Sequence, residues 1–201
     1  MLEVNVLKKE SREKRIKDIT DAAMKVFLEK GYENTTMEAI AKNAGLSKGG
    51  LYHYFKSKDM ILIFVNQKIN ENIETIFYKA LEMSSIKEGI IYYIENYLKY
   101  WLEHPKEAIF LFLSITKVLD NHELLEYYQQ FMGNYMKYFE EAFEMGIKSG
   151  EFVHHNVKTS AITLVGALDG IISYMILDKD LKLEDVVKHF EDKFIRPIEK
   201  S

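Results

Sequence analysis

Between Thr35 and Lys58 the chain gathers groups suited to meeting a polyanion without making or breaking a bond. Lys48, His53 and Lys58 donate hydrogen bonds or carry charge, Ser47, Tyr52 and Tyr54 carry hydroxyls, and Gly49 and Gly50 stand side by side. In a helix each glycine costs about 1 kcal/mol against alanine, and an ordinary surface helix has no reason to keep two. What they offer is proximity: backbone amides unobstructed by Cβ atoms reach phosphate oxygens or lie against thymine methyl groups. Taken singly, these residues are ambiguous. Lys48 and Lys58 also read as solvated lysines, and Tyr52, Tyr54 and Phe55 read equally well as core aromatics.

A second set lies downstream. Tyr92, Tyr93, Tyr97, Tyr100 and Trp101 crowd one stretch, continued by Phe110, Phe112, Tyr128, Phe131 and Tyr135. Buried tyrosines need partners for their hydroxyls. The cluster is therefore either an aromatic-rich core or the wall of a pocket for an apolar or aromatic ligand, neutral or cationic, with Tyr93, Tyr97, Trp101, Phe110, Phe131 and Tyr135 as candidate lining. Asp169, isolated among apolar residues, is either a pocket or interface group or a surface carboxylate. The adjacent His154 and His155 invite a metal reading, but sequence neighbours seldom ligate one ion and the chain has no cysteine, so no metal site is expected. Ser/His/Asp order, a phosphate-binding glycine loop and HExxH spacing in a supporting context are all missing, so neither an enzyme nor a cofactor is expected.

The elements that must position these groups are helical throughout. Ile16, Ile19, Ala23, Val26 and Phe27 recur at intervals of three and four, predicting a helix from Ser11 to about Lys30 that Gly31 stops, with residues 1–10 as a frayed arm. Thr35 to Glu38 has the spacing of a capping box and opens a short second helix ending at Gly45. Ser47 caps a third, through about Tyr54, and Ser57 a fourth, which runs past Ile76. Ala41 and Gly45 supply what two crossing helices need, a small side chain at the crossing and a residue tolerating positive φ at the bend, so the second and third form a helix-turn-helix with Leu51 pointing into the crossing. The third helix then presents Lys48, Gly49, Gly50 and His53 to a major groove, while Tyr52, Tyr54 and Lys58 lie where a DNA backbone passes. Five more helices follow, at roughly 86–103, 106–118, 121–148, 157–177 and 183–199, with no competing strand signal. Leu164, Leu168 and Ile172 on one of the last two and Val187, Phe190 and Phe194 on the other form apolar stripes suited to a four-helix bundle with their copies across a two-fold axis, and Gly166 and Gly170 allow close approach.

The run from Gly31 to Ala41, followed by Ala44 to Asp59 (AGLSKGGLYHYFKSKD), resembles the DNA-binding domain of the tetracycline-repressor (TetR/AcrR-type) regulators over about residues 11 to 65. The resemblance implies an all-α protein: a three-helix helix-turn-helix DNA-binding domain, residues 1–57, joined by a long helix to a helical ligand-binding and dimerisation domain, residues 58–201. It implies that Thr36, Tyr52 and Lys58 hold phosphates and that Lys48, Gly49 and His53 face the groove. Gly50 stands where that family often has a small hydroxyl residue, and Tyr52 to Phe55 reads Tyr-His-Tyr-Phe where Tyr-Tyr-His-Phe is common. Base preference is therefore not transferable, and shape and phosphate contacts are expected to carry much of the operator choice.

Charge agrees with this division. The net charge of −4 conceals residues 1–60 at +3, with twelve basic and nine acidic side chains, and a remainder at −7, so the polyanion belongs to the N-terminal end. Composition, 47% hydrophobic and 13% aromatic, excludes extended disorder. The longest uninterrupted apolar runs, Met60 to Val65 and Ala108 to Leu113, are too short to span a membrane, and no secretory signal opens the chain. The sequence reads as a soluble, cytoplasmic, homodimeric transcriptional regulator, expected to act as a repressor, that binds a near-palindromic double-stranded operator and is released by a small, largely apolar or aromatic effector. A helical adaptor using its helix-turn-helix for protein contacts, and an enzyme of unrecognised type, are the competing classes.

Overall fold

The computed structural model describes residues 2–200, whose regular structure is helical apart from one isolated β-bridge, Phe152 to Glu199. The helices are α1 (Leu2–Lys30), α2 (Met37–Asn43), α3 (Lys48–Tyr54), α4 (Lys58–Ala80), α5 (Ile86–Glu103), α6 (Pro105–Asp120), α7 (His122–Ser149), α8 (Val157–Leu177) and α9 (Leu183–Phe190). Helix α1 departs from expectation at its start. It begins at Leu2, so residues 2–10 continue the helix instead of fraying, because no proline or glycine interrupts the chain before Gly31. The last helix differs at its end. After Phe190 the chain passes into a π turn, Glu191–Ile195, and a 3-10 turn, Arg196–Ile198. Pro197 has no N–H to give an α-helical ladder, and the Arg196 amide reaches back to the Glu191 carbonyl.

Two compact units result. The first comprises residues 1–71 and 109–124, the second 72–108 and 125–201. The division expected after residue 57 thus falls inside the first unit, which also takes in most of α6. Its core is Ile19, Ala23, Val26 and Phe27 of α1, Ile40 and Ala41 of α2, Leu51 and Phe55, and Ile61, Leu62, Val65 and Ile69 of α4, all buried. From α6 the Phe110 ring stacks on Phe27, centroids 5.5 Å apart.

In the second unit α5 packs on α8 and α9. Gly89 of α5 permits one close approach: a Cβ there would stand 2.6 Å from the Ala80 carbonyl oxygen. Gly146 of α7 permits another, since a Cβ would fall within 2.1 Å of the Phe152 ring. Leu164, Leu168 and Ile172 of α8 and Phe190 of α9 are all buried. Expected at a contact between copies, these four are already buried within the protomer, in the unit where α5 packs on α8 and α9. Val187 and Phe194 are half-buried, the Phe194 ring stacked on Phe190. Helix α8 is apolar enough by length and composition to span a bilayer; its outward face carries Ile162, Tyr174 and Leu177, 58%, 65% and 84% exposed.

Candidate nucleic-acid interface and ligand cavity

The turn between α2 and α3 forms as its residues require. Gly45 adopts φ +65°, and the Leu46 amide closes the bend on the Ala41 carbonyl at 2.9 Å. Ser47 caps α3 by accepting from the Gly50 amide at 3.1 Å. The cap of α2 is Thr36, which accepts from Ala39 at 3.2 Å, and not Thr35, whose buried hydroxyl donates to the Gly31 carbonyl. Glu38 is thereby freed from the expected capping box and forms an ion pair with Lys48; their mutual bond lowers the Glu38 pKa and raises that of Lys48.

Helix α3 buries Leu51 alone. A Cβ on Gly49 would meet nothing within 4 Å, and one on Gly50 would meet only Ser47 Oγ at 3.3 Å and Leu46 side-chain carbons at 3.8 Å. Internal packing therefore demands neither glycine. Lys48, Gly49, Tyr52 and His53 are exposed, and Gly50 and Tyr54 half-buried. The aromatic ambiguity resolves residue by residue: Phe55 is core, its ring edge-on to Phe64 at 5.1 Å, while Tyr52 is 37% exposed.

Lys58 occupies a different position. Its ammonium donates to the carbonyls of Tyr32 at 2.7 Å and Thr35 at 2.9 Å and lies 4.1 Å from the centre of the Tyr32 ring. The phosphate-holding role implied by the resemblance meets a side chain already committed to the α1–α2 turn. Around it runs a network that sequence reasoning missed. Asp59 accepts from the Tyr32 hydroxyl and from Asn121 Nδ2, the latter at 3.1 Å, and Lys117 of α6 pairs with Glu33. Burial and the Asp59 carboxylate push the Tyr32 pKa well up. None of these contacts has a periodic or motif signal, since each joins residues distant in sequence.

In the second unit the expected pocket residues divide. Tyr93, Tyr97 and Trp101, one face of α5, are buried; Phe131 and Tyr135 of α7 and Asp169 of α8 are half-buried. These six share the second unit, whereas Phe110 belongs to the first. The Tyr93 and Tyr135 hydroxyls are hydrogen-bonded, and Tyr97 donates to Asp169 Oδ1 at 2.5 Å. Burial raises the Asp169 pKa, and the Tyr97 bond offsets this only partly. Tyr93 also forms part of a cavity of about 400 Å³ bounded by α4, α5 and α7, with Phe77, Ile86, Ile90, Phe139 and Met145 among its walls. Only Tyr93 of this lining was expected. The others, mostly apolar with Ser85 and Glu141 among them, carry no signal of their own in the sequence, apart from Gly89, where α5 meets Ala80.

Residues 19–63 match the family described as "Bacterial regulatory proteins, tetR family", and residues 81–200 match "QacR-like protein, C-terminal region". The fatty acid metabolism regulator protein of Bacillus subtilis (strain 168) is 27% identical over 162 residues, 80% of this chain and 82% of that one. The negative regulator IcaR of the biofilm operon icaADBC of Staphylococcus aureus (strain Newman) is 46% identical over 79 residues, 32% of this chain and 42% of its own. Among solved structures, the transcriptional regulator FadR from Bacillus subtilis in complex with stearoyl-CoA is similar at TM-score 0.72 and 25% identity, with 90% of this chain and 98% of that chain covered.

Proposed function

Because the chain belongs to the tetR family of bacterial regulatory proteins, a transcriptional regulator by membership, we propose that it represses by binding a near-palindromic operator as a homodimer and departs when a largely apolar or aromatic effector occupies its second unit. The observation that carries this reading is the bare outer surface of α3, where Gly49 faces open space beside exposed Lys48, Tyr52 and His53. A helix shaped that way fits a major groove, with Tyr52, Tyr54 and the Thr36 end of α2 near the backbone. Base-reading side chains are few, so groove shape and phosphate contacts supply much of the discrimination. The +3 charge of residues 1–60 and the −7 charge of the rest support the same orientation toward DNA.

Two-fold pairing uses the face of α8 that the protomer leaves uncovered, where Ile162, Gly166, Gly170, Tyr174 and Leu177 are exposed. An isologous contact there would give the dimer two copies of α3, one for each half of a near-palindromic operator. Its glycines allow the helix copies to approach closely.

The effector site is the cavity walled by Phe77, Ile90 and Phe139. At the ~30 Å³ of a liquid water, about 400 Å³ holds roughly a dozen such groups, the scale of an aliphatic chain or a two- to three-ring aromatic. FadR of Bacillus subtilis, with its stearoyl-CoA, supports an apolar occupant. Release is a population shift: an effector that fits better in the DNA-free arrangement of the dimer lowers operator affinity tenfold for each 1.4 kcal/mol of differential binding.

The test uses N-phenyl-1-naphthylamine, a neutral dye that fluoresces in apolar surroundings, with a labelled duplex selected by the protein from a random pool. Ala142 of α7 also lines the cavity, and dye binding that lowers duplex affinity, with both dye binding and its effect removed by Ala142→Trp but duplex affinity preserved, is the expected result. Duplex affinity indifferent to dye, or dye binding indifferent to Ala142→Trp, overturns the assignment of the cavity.

A further inference from the structure

Glu38 and Lys48 join the first turns of the two helices that make up the helix-turn-helix. Glu38 is the second residue of α2 and Lys48 the first of α3, and their carboxylate and ammonium form an ion pair between the helices. The Glu38 and Lys48 side chains are 56% and 58% exposed, so the pair adds little to the stability of the fold. Its effect falls on the field that a duplex meets. Gly49, next in the chain, has open space where a Cβ would stand, which lets a duplex approach the pair closely.

The lysines at the two ends of this region differ in what holds them. Lys56 donates to the Tyr52 carbonyl at 3.0 Å, and Lys58 to the Tyr32 and Thr35 carbonyls. A carbonyl occupies a donor and leaves the positive charge in place. Lys48 instead meets a full negative charge, which offsets its own attraction for a phosphate backbone. The carboxylate is itself anchored, since besides Lys48 it accepts from its own amide and from the Thr36 hydroxyl. Thr36 also caps α2 through the Ala39 amide, so the anion is tied to the start of that helix and does not swing freely.

An unpaired lysine on its flexible stem neutralises whichever phosphate lies nearest, and that attraction is the same for every sequence. A guanine edge, by contrast, presents the O6 and N7 acceptors in the major groove, and a lysine that donates there reads the base. An ammonium has three donors, so one that is paired with a carboxylate still has hydrogen to give.

We infer that Glu38 is a positioning residue for DNA recognition: by pairing with Lys48 it withholds that ammonium from the phosphates of arbitrary duplexes and keeps it for an acceptor on a base edge. Moving Lys48 to a phosphate breaks the pair, whereas a base that accepts from a remaining donor leaves it intact, so the pair favours discrimination over affinity. The inference rests on the proposed operator-binding regulator and adds a residue outside α3 that sets its specificity.

The test compares the full-length protein on the duplex it selects from a random pool and on an unselected duplex of the same length, by anisotropy at four salt concentrations. Glu38→Gln keeps the size and an acceptor and removes the charge. It is expected to raise affinity for the unselected duplex at least threefold at low salt and to steepen the slope of log affinity against log salt by about 0.9 per subunit, for the phosphate that Lys48 then reaches. The ratio of selected to unselected affinity is expected to fall at least threefold. In a Lys48→Met background the same substitution is expected to change neither slope nor ratio, because no ammonium is there to release. An unselected-duplex affinity indifferent to Glu38→Gln, an equal gain on both duplexes, or the same gain with Lys48 already replaced would each overturn the inference, the last by showing that Glu38 repels DNA directly. If Glu38→Gln fails to fold, Lys48→Met alone decides: a loss on the selected duplex at least threefold larger than on the unselected one is expected, and equal losses would overturn the inference. Failure of the unaltered protein to select any duplex would count against the regulator reading itself, whatever the variants do.

Discussion

Replacing Lys58 by methionine separates two roles that one residue has been given. The methylene stem is kept and the ammonium removed, along with its bonds to the Tyr32 and Thr35 carbonyls at 2.7 and 2.9 Å and its place over the Tyr32 ring. A hydrogen bond from a charged donor contributes about 1.5–3 kcal/mol, and the cation–ring contact adds roughly 0.5–1. Both carbonyls are part-buried, so water recovers some of the loss, leaving a destabilisation of about 3 kcal/mol. For a chain of this size that lowers Tm by roughly 6–12 °C. DNA binding reports the other role through its salt dependence. Loss of a direct phosphate contact reduces the slope of log affinity against log salt by about 0.9 for each phosphate. If Lys58 acts by holding the α1–α2 turn against α4, Lys58→Met leaves that slope unchanged well below Tm and weakens binding by less than about tenfold. Thermal denaturation followed by circular dichroism, beside duplex anisotropy at four salt concentrations, measures both. An unaltered Tm with a slope reduced by about 0.9 per subunit would refute the structural argument and restore the phosphate contact.

Three further expectations concern other parts of the molecule. Gly49→Ala is expected to stabilise α3 by up to about 1 kcal/mol, because a Cβ meets nothing within 4 Å and alanine is the better helix former, while weakening duplex binding; a gain in duplex affinity would show that the bare surface is not the one pressed against DNA. Gly146→Ala is expected to destabilise by at least about 1–3 kcal/mol in urea unfolding, since its Cβ would overlap the buried Phe152 ring at 2.1 Å, and a neutral effect would mean that the ring moves freely. Asp169→Asn carries a pH signature. Burial raises the folded-state pKa of Asp169 above its ordinary 3.8, so the folded chain holds this proton more tightly than the unfolded one and ionisation costs stability as pH rises. The variant should therefore be more stable than the parent at neutral pH, with the difference shrinking as pH falls toward 3.8; a constant difference from pH 7 to 4 would rule out this origin.

What the sequence made legible was what local chemistry decides. Gly31, Gly45 and Gly150 end or bend helices at positive φ, Ser47 and Ser57 cap the helices they precede, and Leu51 is buried in the crossing. Each rests on a few consecutive residues. The capping box slipped by one residue because Thr35 found a partner at Gly31, a competition between two adjacent threonines that spacing cannot decide. Lys58 bonds residues 26 and 23 positions away, and Phe110 reaches Phe27, so neither role is encoded in its own neighbourhood. The stripe of Leu164, Leu168 and Ile172 was visible as apolar, but periodicity says that a face is buried, not whether a neighbouring helix or a second copy buries it. The pairing of Tyr97 with Asp169 spans 72 positions and needed the fold to bring α5 and α8 together.

On the function proposed above, α3 reads DNA as one half of a symmetric pair. Selection of duplexes from a random pool by the purified full-length protein, followed by sequencing of the bound fraction, tests it most directly. The expected result is enrichment of one near-palindrome whose half-sites are spaced to place two α3 helices in successive major grooves, with binding that weakens steeply as salt rises. Enrichment of nothing above the starting pool, or of a single asymmetric half-site bound by one protomer, would contradict it.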